Sequence, residues 1–194
     1  MLVVGPSPSF RPTAAQLASA DTIVTTRHAF ADASIASQVV YAANDSLLAD
    51  DQDYRNLQRL GAQIVARPTS FEPLRSRGWL NRGFRVQAFE DSTPLLGTAF
   101  ALPRLLHDLL AHGAAAITLT CVDFFVGSNS YRDGYRSGDE YALFNPAHDP
   151  VHAHQYVARL SRHGLLTGSD GVGRILELTR EEYLDELEES ASWP

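Results

Sequence analysis

Residues 116–125 read Ala116-Ile117-Thr118-Leu119-Thr120-Cys121-Val122-Asp123-Phe124-Phe125. The first seven positions are apolar or β-branched and carry no charge, the pattern of a strand buried on both faces. Asp123 and the two phenylalanines mark its end. Just upstream, residues 104–112 carry a helical pattern closed by Gly113, with Pro103 breaking the periodicity before it. Downstream, a polar loop with Tyr131-Arg132-Asp133-Gly134-Tyr135 leads to Asn145-Pro146-Ala147-His148-Asp149-Pro150. There Asp149 is a helix N-cap and Pro150 stands at the first helical position. Helix, buried strand, loop, helix is the grammar of a parallel sheet.

The same alternation runs through the rest of the chain. Residues 2–4 form a short apolar run before the turn-rich Gly5-Pro6-Ser7-Pro8-Ser9. Thr13 caps a short helix through Leu17. Residues 21–26, 38–42 and 63–66 read as further strands, and a helix between the last two stops at Gly61. Val151, Tyr156, Val157 and Leu160 give the helix after Asp149 an apolar stripe, and Gly164 ends it. Thr179 and Glu182 make a capping box for a C-terminal helix whose many acids read as a solvated face. Arg104, His107 and Asp108 read as solvated too, and His107, His112 and His163 as solvated or capping residues. Residues 68–92, rich in Arg and aromatics, read as a structural excursion at a sheet edge or a substrate-facing flap. Strands alternating with helices predict one α/β domain over residues 1–194, a three-layer Rossmann-like fold with a mostly parallel sheet. Residues 179–194 form its acidic helix and tail.

Bulk properties exclude several classes. The 194 residues are 44% hydrophobic and 20% charged, ordinary for a globular protein, with a net charge of -7 that disfavours a nucleic-acid surface. Cys121 is the one cysteine, so no internal disulfide is available, and its apolar setting reads as a small core residue. The N-terminus has no basic region followed by an apolar span, and no segment has the length of a membrane helix. A cytoplasmic protein without a membrane span is expected.

Ligands on open parallel sheets bind at the carboxyl ends of the strands. That edge collects the loop with Ser7 and Ser9, then Arg27, Asn44 and Asp123. The two prolines remove amide donors from the first loop, so it reads as a turn presenting the Ser7 and Ser9 hydroxyls to a ribose rather than as a phosphate nest. Arg27 either clamps a phosphate or pairs with a neighbour such as Asp32. Asp123 either orients His148 or a tyrosine, or caps the loop that follows it. His148, just outside a helix N-terminus, is held toward its neutral form and suits a general base; the plain alternative is a surface loop histidine. His148, His152 and His154 do not make a metal set, because His148 precedes the helix and no carboxylate completes it.

At these residues the chain resembles the sialyltransferase superfamily, glycosyltransferase families 29 and 42 with their small bacterial relatives. The resemblance rests on Gly5-Pro6-Ser7-Pro8-Ser9 after the first strand, the second strand from Asp21 to Arg27, and Thr93-Pro94-Leu95-Leu96-Gly97. It continues with Asp123-Phe124-Phe125, the tyrosines 131 and 135, and His148-Asp149-Pro150, covering most of residues 1–165. It implies an inverting, metal-independent transferase, without a cofactor, acting on a cytidine monophosphate-type sugar donor and a small-molecule or glycan acceptor. It further implies that His148 is the base, that Tyr131 and Tyr135 donate to the departing phosphate, and that Asn44 and Ser9 contact the donor near the Gly97 turn. The chain differs from the family at Pro6 and Arg27, where asparagines are usual, and at Leu95-Leu96, where a Ser/Thr-Thr pair is usual. Two other functions therefore stand beside transfer: hydrolysis of a nucleotide or nucleotide sugar on the same scaffold, and nucleotide binding without catalysis. A homo-oligomer is expected to cover the edges of so small a domain.

Overall fold

In the computed structural model the described residues are 1–5, 7, 10, 12–26, 38–43, 63–66, 86–88, 101–126 and 149–190. The fold is α/β. Seven strands among them pair in the order β5-β4-β3-β2-β1-β6-β7. They are β1 (Leu2–Val4), β2 (Thr22–Thr26), β3 (Gln38–Ala43), β4 (Gln63–Ala66), β5 (Val86–Ala88), β6 (Ile117–Thr120) and β7 (Leu166–Gly168). Every neighbouring pair is parallel. The helices are α1 (Ala14–Ser19), α2 (Ala101–Ala111), α3 (Pro150–Arg162), α4 (Asp170–Glu177) and α5 (Arg180–Ser190).

From β1 the sheet grows in one direction through β2 to β5, and in the other through β6 and β7. The strand order thus reverses between β1 and β6, which makes their carboxyl ends the switch point of the sheet. Leu2, Val3 and Val4 are all buried, as befits a central strand covered on both faces. Val3 faces Val24 on one side and Leu119 on the other in the ladder. The pairing of β1 with β6 continues past both strands, with the Gly5 amide donating to the Thr120 carbonyl at 2.9 Å and the Ser7 amide to the Cys121 carbonyl at 3.0 Å.

Helix ends follow local chemistry. Thr13 and Gln16 form a reciprocal capping box on α1, as do Thr179 and Glu182 on α5. Asp149 caps α3 by accepting from the His152 amide at 2.9 Å, with Pro150 following. Gly164 takes φ 71° after α3 and Gly113 takes φ 87° after α2, the left-handed turns that glycine adopts at helix ends. The α5 acids are mostly exposed; Tyr183 and Leu187, four residues apart, are its buried contacts.

Three readings of the sequence are corrected. Helix α2 starts at Ala101 and contains Pro103 in its first turn; the first amides of a helix have no acceptor within it, so a missing N–H there breaks nothing. Asp108 is buried rather than solvated, and His107 is half-buried, its Nδ1 3.1 Å from the Tyr156 hydroxyl on α3. The polar stripe of α2 therefore faces its neighbours in the fold. His163 is exposed as the cap of α3, and Cys121 is fully buried, both as expected.

The structure adds β7 and α4, which the periodicity does not reveal because both are short. Gly168 and Gly173 approach so closely that a Cβ on Gly168 meets the Gly173 amide nitrogen at 2.5 Å. β5 lies at the edge of the sheet within residues 68–92; the rest of that stretch, read as an excursion or a flap, lies outside the described residues. No described helix is long and apolar enough to cross a membrane.

Gly5 makes a similar close approach, since a Cβ there meets the Cys121 carbonyl oxygen at 2.5 Å. Gly5→Ala should lower unfolding stability by about 1–3 kcal/mol, the usual penalty for forcing a methyl group into a packed site. A urea melt matching wild type would contradict the close contact of the two loops.

Candidate functional site

The loops after β1 and β6 meet at the switch point. Ser7 is 4% exposed and Asp123 8% exposed, which makes each a polar side chain in a setting that tolerates only partnered groups. They find each other: the Ser7 hydroxyl donates to Asp123 Oδ2 at 2.6 Å. The other carboxylate oxygen, Oδ1, accepts from the Phe125 amide at 3.0 Å, and the Asp123 carbonyl accepts from the Val126 amide at 2.9 Å. Asp123 therefore caps its own loop in the manner of an Asx turn, one of the two roles its position allowed. Burial pushes its carboxyl above the ordinary range, and the hydrogen bonds from Ser7 and Phe125 oppose that push.

Backbone strain gathers here. Among the described residues four non-glycines take left-handed φ: Phe10 at 54°, Cys121 at 55°, Phe124 at 49° and Phe125 at 67°. Each costs roughly 1 kcal/mol or more and persists only where surrounding contacts hold it. Phe10 is held by its carbonyl, which accepts from Thr120 Oγ1 at 2.7 Å, the Cys121 amide at 3.2 Å and Cys121 Sγ at 3.4 Å. Ser169 extends the network by donating to Thr120 Oγ1 at 3.0 Å, so its hydroxyl is spent there rather than on capping α4. The Phe10 ring lies against Gly171, where a side chain would collide with it. The first loop thus reaches across the end of β6 to the start of α4.

Beneath the second loop sit two residues that sequence reasoning missed, His154 and Tyr183. Both are buried, and their rings stack at 4.0 Å with 4° between planes. His154 Nε2 lies 2.8 Å from the Ile175 carbonyl; a carbonyl only accepts, so Nε2 carries the proton. His154 Nδ1 is buried without a hydrogen-bond partner among the described residues. Burial holds this imidazole below its ordinary range, with Arg162 adding to the effect and the Ile175 bond opposing it. The Tyr183 phenol is pushed well up, first by burial and then by the Asp123 and Asp149 carboxylates, so it remains a hydroxyl donor. Its spacing from Leu187 was the available signal, an i, i+4 apolar pair in an otherwise acidic helix.

Of the residues singled out from sequence, the structure brings Ser7 and Asp123 together, and the Ser7 hydroxyl, expected to face a ribose, is buried and donates to Asp123 instead. Ser9, Arg27, Asn44, Gly97, Tyr131, Tyr135 and His148 lie outside the described residues. Comparison of the chain with protein-family models, with curated proteins and with solved structures finds no match.

Replacing Asp123 separates its charge from its hydrogen bonds. Asp123→Asn keeps an acceptor for the Phe125 amide and a donor toward Ser7. Because the folded carboxyl titrates above its unfolded value, wild-type stability falls as pH rises from the unfolded value of about 4 through the raised one. The asparagine variant should therefore gain on wild type in melting temperature as pH rises from about 4 to 7. Asp123→Ala, which removes both acceptors, should cost about 1–3 kcal/mol at neutral pH. Equal pH profiles for wild type and Asp123→Asn would refute the charge assignment.

Proposed function

We propose that the protein is an inverting, metal-independent glycosyltransferase taking a sugar from a cytidine monophosphate-type donor. The observation that carries this reading is the buried Ser7–Asp123 hydrogen bond at the reversal of the strand order. Nucleotides bind open parallel sheets at that position, and Ser7 belongs to the Gly5-Pro6-Ser7 segment on which the sialyltransferase resemblance begins. A second support is geometric: the Tyr183 hydroxyl donates to the Phe124 carbonyl at 2.7 Å and lies 3.5 Å from the Pro150 carbonyl. The start of α3 therefore lies beside the loop that carries Asp123, as a reading with His148 as base requires.

In this reading His148 takes the proton from an acceptor hydroxyl as its oxygen attacks the anomeric carbon of the donor sugar. The bond from that carbon to the donor phosphate breaks, and cytidine monophosphate leaves with the electron pair. Tyr131 and Tyr135 donate hydrogen bonds to the departing phosphate, and Arg27 clamps it. Asn44, Ser9 and the Gly97 turn contact the donor. An imidazole with an ordinary pKa of about 6.5 is half neutral near that pH and suits a base working near neutrality.

Hydrolysis on the same site is the second reading, favoured by one specific observation. Leu95-Leu96 replaces the polar pair that the resemblance associates with the donor sugar, and water then stands in for the acceptor at His148. Binding of a nucleotide without chemistry is the third.

The test is a panel of cytidine, uridine and guanosine nucleotides and nucleotide sugars, followed by thermal shift and product detection with and without acceptor. A cytidine-selective shift and turnover that requires acceptor are expected, and His148→Ala should remove turnover while leaving the melting temperature within a few degrees. Release of free sugar without acceptor would replace transfer by hydrolysis. The absence of any shift would end both readings.

A further inference from the structure

Tyr183 lies on α5, away in sequence from every residue assigned a chemical role, yet its hydroxyl sits where two segments of the candidate site meet. It donates to the Phe124 carbonyl at 2.7 Å, and the Pro150 carbonyl lies 3.5 Å away. One carbonyl belongs to the loop that carries Asp123. The other belongs to the first residue of α3, directly after Asp149. The Tyr183 ring is held in turn by the stacked His154, which also meets Phe124 edge-on at 5.6 Å and 84°. Anchored to the Ile175 carbonyl, His154 fixes the plane on which Tyr183 rests.

We infer that Tyr183 is a positioning residue of the candidate site, its hydroxyl joining the Asp123 loop to the start of α3 while His154 holds its ring. Phe124 and Phe125 are consecutive left-handed residues, and relaxing either one rotates the peptide that carries the Phe124 carbonyl. A donor fixed on that carbonyl opposes the rotation and so keeps Asp123 aimed at Ser7. Any buried phenol needs an acceptor; this one takes it at a strained peptide of the Asp123 loop. As it bears on catalysis the inference rests on the glycosyltransferase reading; as it bears on loop geometry it does not.

Tyr183→Phe keeps the ring and the stack and removes the hydroxyl. Four amides report on the two segments: Phe125 and Val126, bonded to Asp123, and His152 and Ala153, bonded to Asp149. Hydrogen exchange at these four should quicken by about tenfold, while amides of β1 and β6 stay within about twofold of wild type. Leu187→Ala is the comparison, since it loosens the same helix and leaves the hydroxyl in place. Wild-type exchange at the four amides in Tyr183→Phe overturns the inference. So does a general rise in exchange that matches Leu187→Ala. If the wild-type protein turns over a cytidine donor, Tyr183→Phe should lower kcat by about tenfold with KM little changed, and an unchanged kcat would remove the catalytic role. If no donor is turned over, the glycosyltransferase reading falls and the exchange pattern alone decides the positioning role.

Discussion

The parallel pairing of β1 with β6 is the contact on which the other features rest. It joins residues more than a hundred positions apart, with Leu2 opposite Thr118 and Val4 opposite Thr120. Its hydrogen bonds continue into the loops, where Gly5 and Ser7 still donate to the carbonyls of Thr120 and Cys121. That continuation leaves room for no side chain at residue 5 and delivers the Ser7 hydroxyl to Asp123. The reversal of strand order falls at this seam, so the sheet's natural ligand-binding edge and a close backbone approach coincide.

Around the seam, local strain and polar satisfaction support each other. The left-handed residues Phe10, Cys121, Phe124 and Phe125 are each next to a committed polar group. The Phe10 carbonyl accepts from Thr120 and Cys121, the Phe125 amide donates to Asp123, and the Phe124 carbonyl accepts from Tyr183. The Asp123–Phe125 bond is local, but the partners of Phe10 and Phe124 come from distant parts of the chain. The conformation of the edge is thus a property of the assembled α/β sheet, including α5, and not of the loops alone.

Much of the framework was legible in the sequence because it is written in short-range chemistry. Runs such as Gln63–Ala66 announce strands, and Thr13, Asp149 and Thr179 announce helix starts whose caps the structure contains. The errors came where tertiary context overrides local pattern. Pro103 looked like a boundary but sits in a first turn that needs no amide there, and Asp108 looked solvated but is buried. The Gly168–Gly173 approach and the three-residue β7 carry too little periodicity to read. Of the candidate site, Ser7 and Asp123 were legible as strand-end polar residues. His154 enters the sequence reading only as one of three histidines that make no metal set, because nothing in Ala153-His154-Gln155 says that a tyrosine twenty-nine positions later will stack on it.

The position of β1 at the middle of the sheet also has a consequence for how the protein is made. During synthesis β1 and β2 emerge early and can pair at once. The other edge of β1, three apolar residues with unfilled ladder positions, has to wait until residues 117–120 have left the ribosome. Parallel partners so distant in sequence close slowly, and an open apolar edge is a template for wrong pairing meanwhile. The nascent chain therefore passes through an interval in which a strand that ends fully buried is open along one edge, and its yield should depend on what shelters β1 until β6 arrives.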